Sequence, residues 1–353
     1  VLNGLAQCYV LIGDNEKAFE YYNRSLNIKR KIDDKQGIAI GLSNMSINYR
    51  RIGDYSMAIT SAKEAIEYYD ELKIPMYKFL TKMNLGEYQV ILGYLDEATI
   101  NLNESLEFML QIQDYKSSGM ICKYLGLIDL NKMEWQSAQN HFIDSLNYLQ
   151  KAEHRAAFES TTLFLGLSYY YGNDFDLAEK FINKAVQITS RRTNISFYGQ
   201  TAKTVQIMLN TKLDKNTEKD VDHFIDEISK DIKKESKKNP WIAREYWYIS
   251  QAYSNLRVEN KADKYRKLSY NHLIEVSKLI TDLEIRKDYM QLPLIHRLMS
   301  GEVINLKIDK ENNTAAKKNL TNVETNIFAF CPSCGFKNEN KFKFCPQCGE
   351  NLS

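Results

Sequence analysis

A chain of 353 residues with a formal net charge of +2, 44% apolar and 26% charged residues has the make-up of a folded protein. Its near balance of charge excludes strong non-specific attraction to nucleic acid or an anionic membrane through the field of the whole molecule. Five Pro and fifteen Gly favour long helices over a loop-rich β fold. No run reaches the roughly eighteen consecutive apolar residues of a bilayer-spanning helix, so neither a membrane segment nor a signal peptide is expected.

From the first residue the sequence repeats. Ala18, Ala58, Ala98, Ala138 and Ala178 stand forty residues apart. Twelve residues before each lies a small residue (Ala6, Ser46, Gly86, Gly126, Gly166), preceded by a large apolar one (Leu5, Met45, Leu85, Leu125, Leu165). Seven residues after each lies another small one: Ser25, Ala65, Ser105, Ser145 and Ala185. Two antiparallel helices approach closely only where both carry small side chains, with large apolar residues filling the flanking grooves. Between the two halves of each unit lie IGDNE, IGDYS, LGYLD, KMEWQ and YGNDF, whose Gly and Asx residues are expected to end one helix and cap the next. Each unit therefore reads as a helical hairpin. The chain opens in mid-helix by this pattern, and is expected to be the C-terminal part of something longer.

This internal spacing, with Tyr9, Tyr49 and Tyr169 at the aromatic position, resembles the tetratricopeptide repeat over residues 1–190, although the period is forty rather than about thirty-four residues. The resemblance implies an all-α, right-handed superhelical solenoid of helical hairpins that binds a protein or peptide on its concave face, lined by the first helix of each hairpin. In that register Asn44 and Asn84 take the position where the family often uses Asn to fix a ligand backbone, and Tyr124 and Phe164 replace it in the next two repeats. Arg51, Lys123 and Tyr170 fall at other ligand-facing positions; the alternative for Tyr124 and Phe164 is packing between repeats.

Residues 191–306 read as degenerate repeats and a capping helix. A hairpin broken at KLDKNTEKD is followed by a restored pattern with Tyr246, Ile249, Ser250, Tyr253 and Ala262, and then by a polar terminal helix that covers the last apolar face. Residues 307–327 lack periodic apolar residues and read as a flexible linker.

Residues 328–353 carry two Cys-x2-Cys pairs, Cys331 with Cys334 and Cys345 with Cys348, each in a CPxCG unit. Pro fixes one backbone angle and Gly permits the positive φ that turns amides toward the thiolates. Four soft ligands on two rigid loops suit one closed, tetrahedral, structural Zn2+ site that leaves no place for an activated water. The segment resembles the zinc ribbon, and so small a domain needs such a staple. Clustered in this way, the cysteines speak for metal binding in a reducing compartment, hence a cytoplasmic protein. Cys8 and Cys122 stand alone as small apolar residues.

No phosphate loop, HExxH, GxSxG or dinucleotide fingerprint occurs, and the five histidines lack ligand spacing. The expectation is a non-enzymatic scaffold with a protein or peptide partner, no membrane and no nucleic acid. Two alternatives stand beside it: the regulatory C-terminal region of a larger nucleotide-using signalling enzyme, and nucleic-acid association through the ribbon.

Overall fold

A computed structural model describes residues 1–189, 197–234, 241–278, 280 and 283–292. Among them are fifteen α-helices and no strand. They fall into two compact units, one formed by Val1–Ile112 with Glu275–Met290 and the other built on Gln113–Ile274. The expected linker and zinc ribbon, with Cys331, Cys334, Cys345 and Cys348, lie outside the described residues.

The first unit contains three hairpins: α1 (Leu2–Ile12) with α2 (Asn15–Lys31), α3 (Lys35–Arg51) with α4 (Tyr55–Glu71), and α5 (Pro75–Leu92) with α6 (Leu95–Gln111). In the second, α7 (Tyr115–Lys132) pairs with α8 (Trp135–Lys151) and α9 (Arg155–Tyr171) with α10 (Phe175–Thr189). These are followed by α11 (Phe197–Lys212), α12 (Glu218–Lys234), α13 (Trp241–Asn255) and α14 (Glu259–Ser277). The break between α11 and α12 falls in KLDKNTEKD, where the sequence placed it. The terminal helix α15 is short, Leu283–Gln291.

Helices α2 to α9 each have 17 or 18 residues, so the forty-residue unit is two nearly equal arms joined by turns of two or three residues. Within a hairpin the turn follows one plan. The amide of Asp14 donates to Tyr9 O at 3.0 Å and that of Gly13 to Val10 O at 3.2 Å, the paired bonds of a Schellman ending. Asp54, Tyr94, Glu134 and Asp174 repeat the longer bond at 2.8–3.0 Å. The same residue then caps the following helix, and the side chains of Asp14, Asp54 and Asp174 accept from the backbone amides of Lys17, Met57 and Leu177. The left-handed residue before it is Gly at 13, 53 and 93 but Met133 and Asn173 in the later repeats.

The hairpins close on the small residues. All five repeat alanines are fully buried. A Cβ added to Gly86 would lie 2.6 Å from Leu102 Cγ, one on Gly126 2.6 Å from the Phe142 ring, and one on Gly166 2.7 Å from Ile182 Cγ1. The residues opposite these points form their own forty-residue series, Tyr22, Ala62, Leu102, Phe142 and Ile182. Opposite Ser46 stands the small Ala62; opposite each of the three glycines stands a large side chain. At the glycines the large side chain opposite occupies the space that a Cβ would otherwise take.

Leu5 departs from its series: it is 40% exposed, whereas Met45, Leu85, Leu125 and Leu165 are buried. Met45, Leu85 and Leu165 each sit on a first helix that packs against the second helix before it in the chain.

Gly126→Val is expected to lower stability by about 1–3 kcal/mol, because the new methyls must displace the Phe142 ring from a filled core. Thermal unfolding followed by circular dichroism, with Lys132→Gln as the surface control, checks this. Equal melting temperatures for the two variants would show that the hairpin crossing lies elsewhere.

Candidate functional site

First helices of successive hairpins lie side by side in the first unit. Ser43 on α3 and Thr81 on α5 share a hydrogen bond of 2.9 Å, and Arg50 on α3 forms an ion pair with Glu87 on α5. Asn44 and Asn84 sit beside these links, one on each helix, both half-buried. Arg51 is exposed at the end of α3. The sequence register therefore brings Asn44 and Asn84 to matching places on two adjacent helices, each next to a residue that fixes the spacing between them.

Asn48, one turn beyond Asn44, is occupied differently. Its Nδ2 donates to the Tyr22 hydroxyl at 3.0 Å and to Asn44 O at 2.9 Å, tying α3 to α2. Burial raises the pKa of Tyr22, with the Asn48 bond acting in the opposite sense, so the hydroxyl stays protonated.

In the second unit the four remaining candidates divide. Lys123 and Tyr124 are consecutive on α7 and buried, with Lys123 Nζ 4.5 Å from the centre of the Tyr124 ring. Phe164 is 1% exposed and stacks on Phe142 of α8 at 5.9 Å, so its side chain lies in the packing of the hairpins. Tyr170 is half-buried, edge-on to Tyr171 at 5.5 Å and to Phe175 at 5.8 Å. Helices α7 and α9 are buried around most of their circumference, and this is why Phe164 and Tyr124 have so little surface.

That burial takes in charged and polar side chains which repeat spacing did not single out. Glu159 of α9, 3% exposed, accepts from Arg155 Nε at 2.9 Å. Asp129 of α7 meets His141 Nδ1 of α8 at 2.7 Å, and Arg244 of α13 donates to Asn131 of α7 at 3.0 Å. An i,i+4 Arg–Glu pair was visible in the sequence, but its burial was not. The Asn131–Arg244 bond joins residues 113 apart and had no local signal. Burial and the nearby Lys116 and Lys123 lower the pKa of His154, which caps α9. The Cys122 thiol is pushed up to about 12 by burial and is no nucleophile. Among the described residues no group of three or more His, Cys, Asp or Glu side chains is placed to hold a metal, and no helix is long and apolar enough to cross a membrane.

These features define an all-helical repeat protein among the described residues, with the first helices α3 and α5 side by side in the first unit. Residues 1–71 match the family described as tetratricopeptide repeat, and the chain carries repeats of that type. It is similar in structure to the apo form of RapI, with a TM-score of 0.62 at 12% identity over 79% of this chain and 97% of that one. It is also similar to a signal transduction ATPase with numerous domains, with a tetratricopeptide repeat sensor, from Pyrococcus horikoshii. There the TM-score is 0.52 at 18% identity over 82% of this chain, which spans 44% of that protein. No curated protein matches the sequence.

Phe164→Ala is expected to cost about 3–5 kcal/mol of stability, since it empties a fully enclosed ring position. Asn44→Ala, at a half-buried site, is expected to change the melting temperature little. Chemical denaturation of the two variants gives the comparison, and a Phe164→Ala protein as stable as wild type would return that ring to the list of surface contacts.

Proposed function

We propose that this chain is a non-catalytic scaffold that holds a protein or peptide segment along the face lined by the first helices of its hairpins. The observation that carries the reading is the Asn44–Asn84 register: two amide side chains at matching places on adjacent helices, with the Ser43–Thr81 and Arg50–Glu87 links setting their spacing. A side-chain amide both donates and accepts, so a pair of them can bond the N–H and C=O groups of an extended chain whatever its sequence. Arg51, exposed at the end of α3, would add charge beside them; in the second unit the half-buried Tyr170 offers an aromatic contact of its own, while Lys123, Tyr124 and Phe164 are buried.

A peptide library displayed to the full chain, followed by affinity measurement on the selected sequence, tests this reading. The double variant Asn44→Ala, Asn84→Ala is expected to weaken binding by at least about tenfold, or roughly 1.4 kcal/mol, with the melting temperature unchanged. Unchanged affinity would rule this face out.

The similarity to the Pyrococcus signal transduction ATPase, which has a tetratricopeptide repeat sensor, favours a second reading: the array is the ligand-sensing region of a larger signalling protein. The two readings share one binding face and differ in what ligand binding controls.

A single structural Zn2+ held by Cys331, Cys334, Cys345 and Cys348 completes the proposal, supported by the donor set, the paired CPxCG units and the ten-residue separation between them. Metal usage of these cysteines supports a cytoplasmic setting. Elemental analysis of reduced protein is expected to find one zinc per chain, lost in the variant Cys345→Ser, Cys348→Ser. The helical circular dichroism and its thermal transition are expected to stay nearly constant, because repeat helices are stabilised by their neighbours. Metal-free reduced protein would overturn the site, and loss of the helical signal on chelation would make the ribbon part of the array's core.

A further inference from the structure

Helix α13 packs on α11, and Ile249 and Ala252 of the one and Ala202, Val205, Met208 and Leu209 of the other are all buried. Asn255 fastens one end of this seam, its Nδ2 donating to Met208 O at 3.1 Å and Thr211 Oγ1 at 3.2 Å. At the other end the seam encloses a carboxyl group. Glu245 is 1% exposed, and its Oε1 accepts from the Thr201 hydroxyl of α11.

Its second oxygen, Oε2, is buried with no hydrogen-bond partner. The same helix carries two more buried polar atoms in that condition, Trp247 Nε1 and Gln251 Nε2. A buried polar group without a partner costs about 1–3 kcal/mol, and more when it is charged. Helix α13 thus buries three polar atoms that no hydrogen bond satisfies, and one of them belongs to an acid facing α11.

Among the described residues no cation offsets that acid. From α11 it is faced by the hydroxyls of Thr201 and Thr204, which cannot neutralise it. On its own helix Tyr248 is a near neighbour held protonated by burial, with Tyr171 of α9 beyond it. The adjacent Arg244 extends to Asn131 of α7. From α14 the near contact is uncharged, Ser269 Oγ donating to Ala243 O at 2.7 Å. The inward face of α12 is apolar, with Val221, Phe224 and Ile228 buried, while its Asp222 accepts from Tyr253 and Lys261.

We propose that Glu245 is a proton-operated latch: carrying its proton it lies neutral in the α11–α13 seam, and losing it drives α13 to open toward water. Burial supplies the sensitivity, holding the carboxyl near 7 when the seam is closed against 4.5 as the ordinary value, with the two threonine hydroxyls pulling the other way. An acid held high in this way contributes its full stability below 4.5 and loses it as pH rises through 7. The cell's own pH range thus falls where the latch turns.

Hydrogen exchange of the full chain, read by mass spectrometry on fragments within 241–255 and corrected for intrinsic rates, tests the latch. Between pH 5.5 and 8.5 the opening constant of α13 in wild type is expected to rise roughly thirtyfold, the ratio that values near 7 closed and 4.5 open require. Glu245→Gln is expected to remove most of that rise, while α4 in the first unit keeps the same protection at both pH values. Thr201→Val removes a hydroxyl that favours the ionised form, so the opening is expected to shift to higher pH. A wild-type α13 equally protected at both pH values overturns the proposal, as does a Glu245→Gln variant with the wild-type slope. If Glu245→Gln fails to fold by circular dichroism, Thr201→Val decides: a midpoint that stays in place overturns the latch.

Discussion

Two helices of 17 residues can lie against each other along their length only if something yields where their axes come closest, and in this chain the side chain yields. At Gly86, Gly126 and Gly166 one helix presents backbone alone, and Leu102, Phe142 and Ile182 fill the space from the other side. Every other feature follows from that approach. The arms run close enough for turns of two or three residues to join them, and the repeat alanines have no exposed surface. Adjacent hairpins then add ion pairs across their rims, such as Arg30–Glu64 and Lys63–Glu97. These pairs are part-exposed and contribute little each; they align units that are already held by packing.

The fold was legible because the repeat states its contacts many times over. A single Ala or Gly carries little information, but five at constant spacing identify one face of one helix. At the aromatic position the rings pack on their neighbours: Tyr9 stacks on Tyr21, Tyr49 on Phe19 and Tyr169 on Phe181. Helices α11 and α12 were visible through the break between them, though their register was not, since no alanine of the series marks it.

The candidate site was only half legible, for a physical reason. Register tells which way a residue points and is silent about what lies opposite it. Asn44, Asn84 and Arg51 retain access because the first-helix face of α3 and α5 is not closed over them, whereas Phe164, in the same register, stacks on Phe142. The buried acid Glu245 was missed because a lone Glu in a helical sequence is an ordinary surface residue, and only the three-dimensional seam converts it into something else. Asn131 and Arg244 escaped notice in the same way.

The turns that join one hairpin to the next use a left-handed residue as well, at Asp33, Lys73, Gln113 and Glu153, again forty apart and never Gly. In the turns centred on residues 33, 73 and 153 the backbone bonds are the same, from Asp34 to Lys29, Ile74 to Tyr69 and His154 to Leu149, at 2.9 Å each. The conformation belongs to the main chain and asks nothing particular of the side chain. A gene recombining at these points exchanges like for like: joining the segment that ends at Asp33 to the one that begins at Ile74 deletes forty residues and regenerates the same junction. Array length is therefore free to change by whole cassettes over evolutionary time, with each seam already compatible with the next.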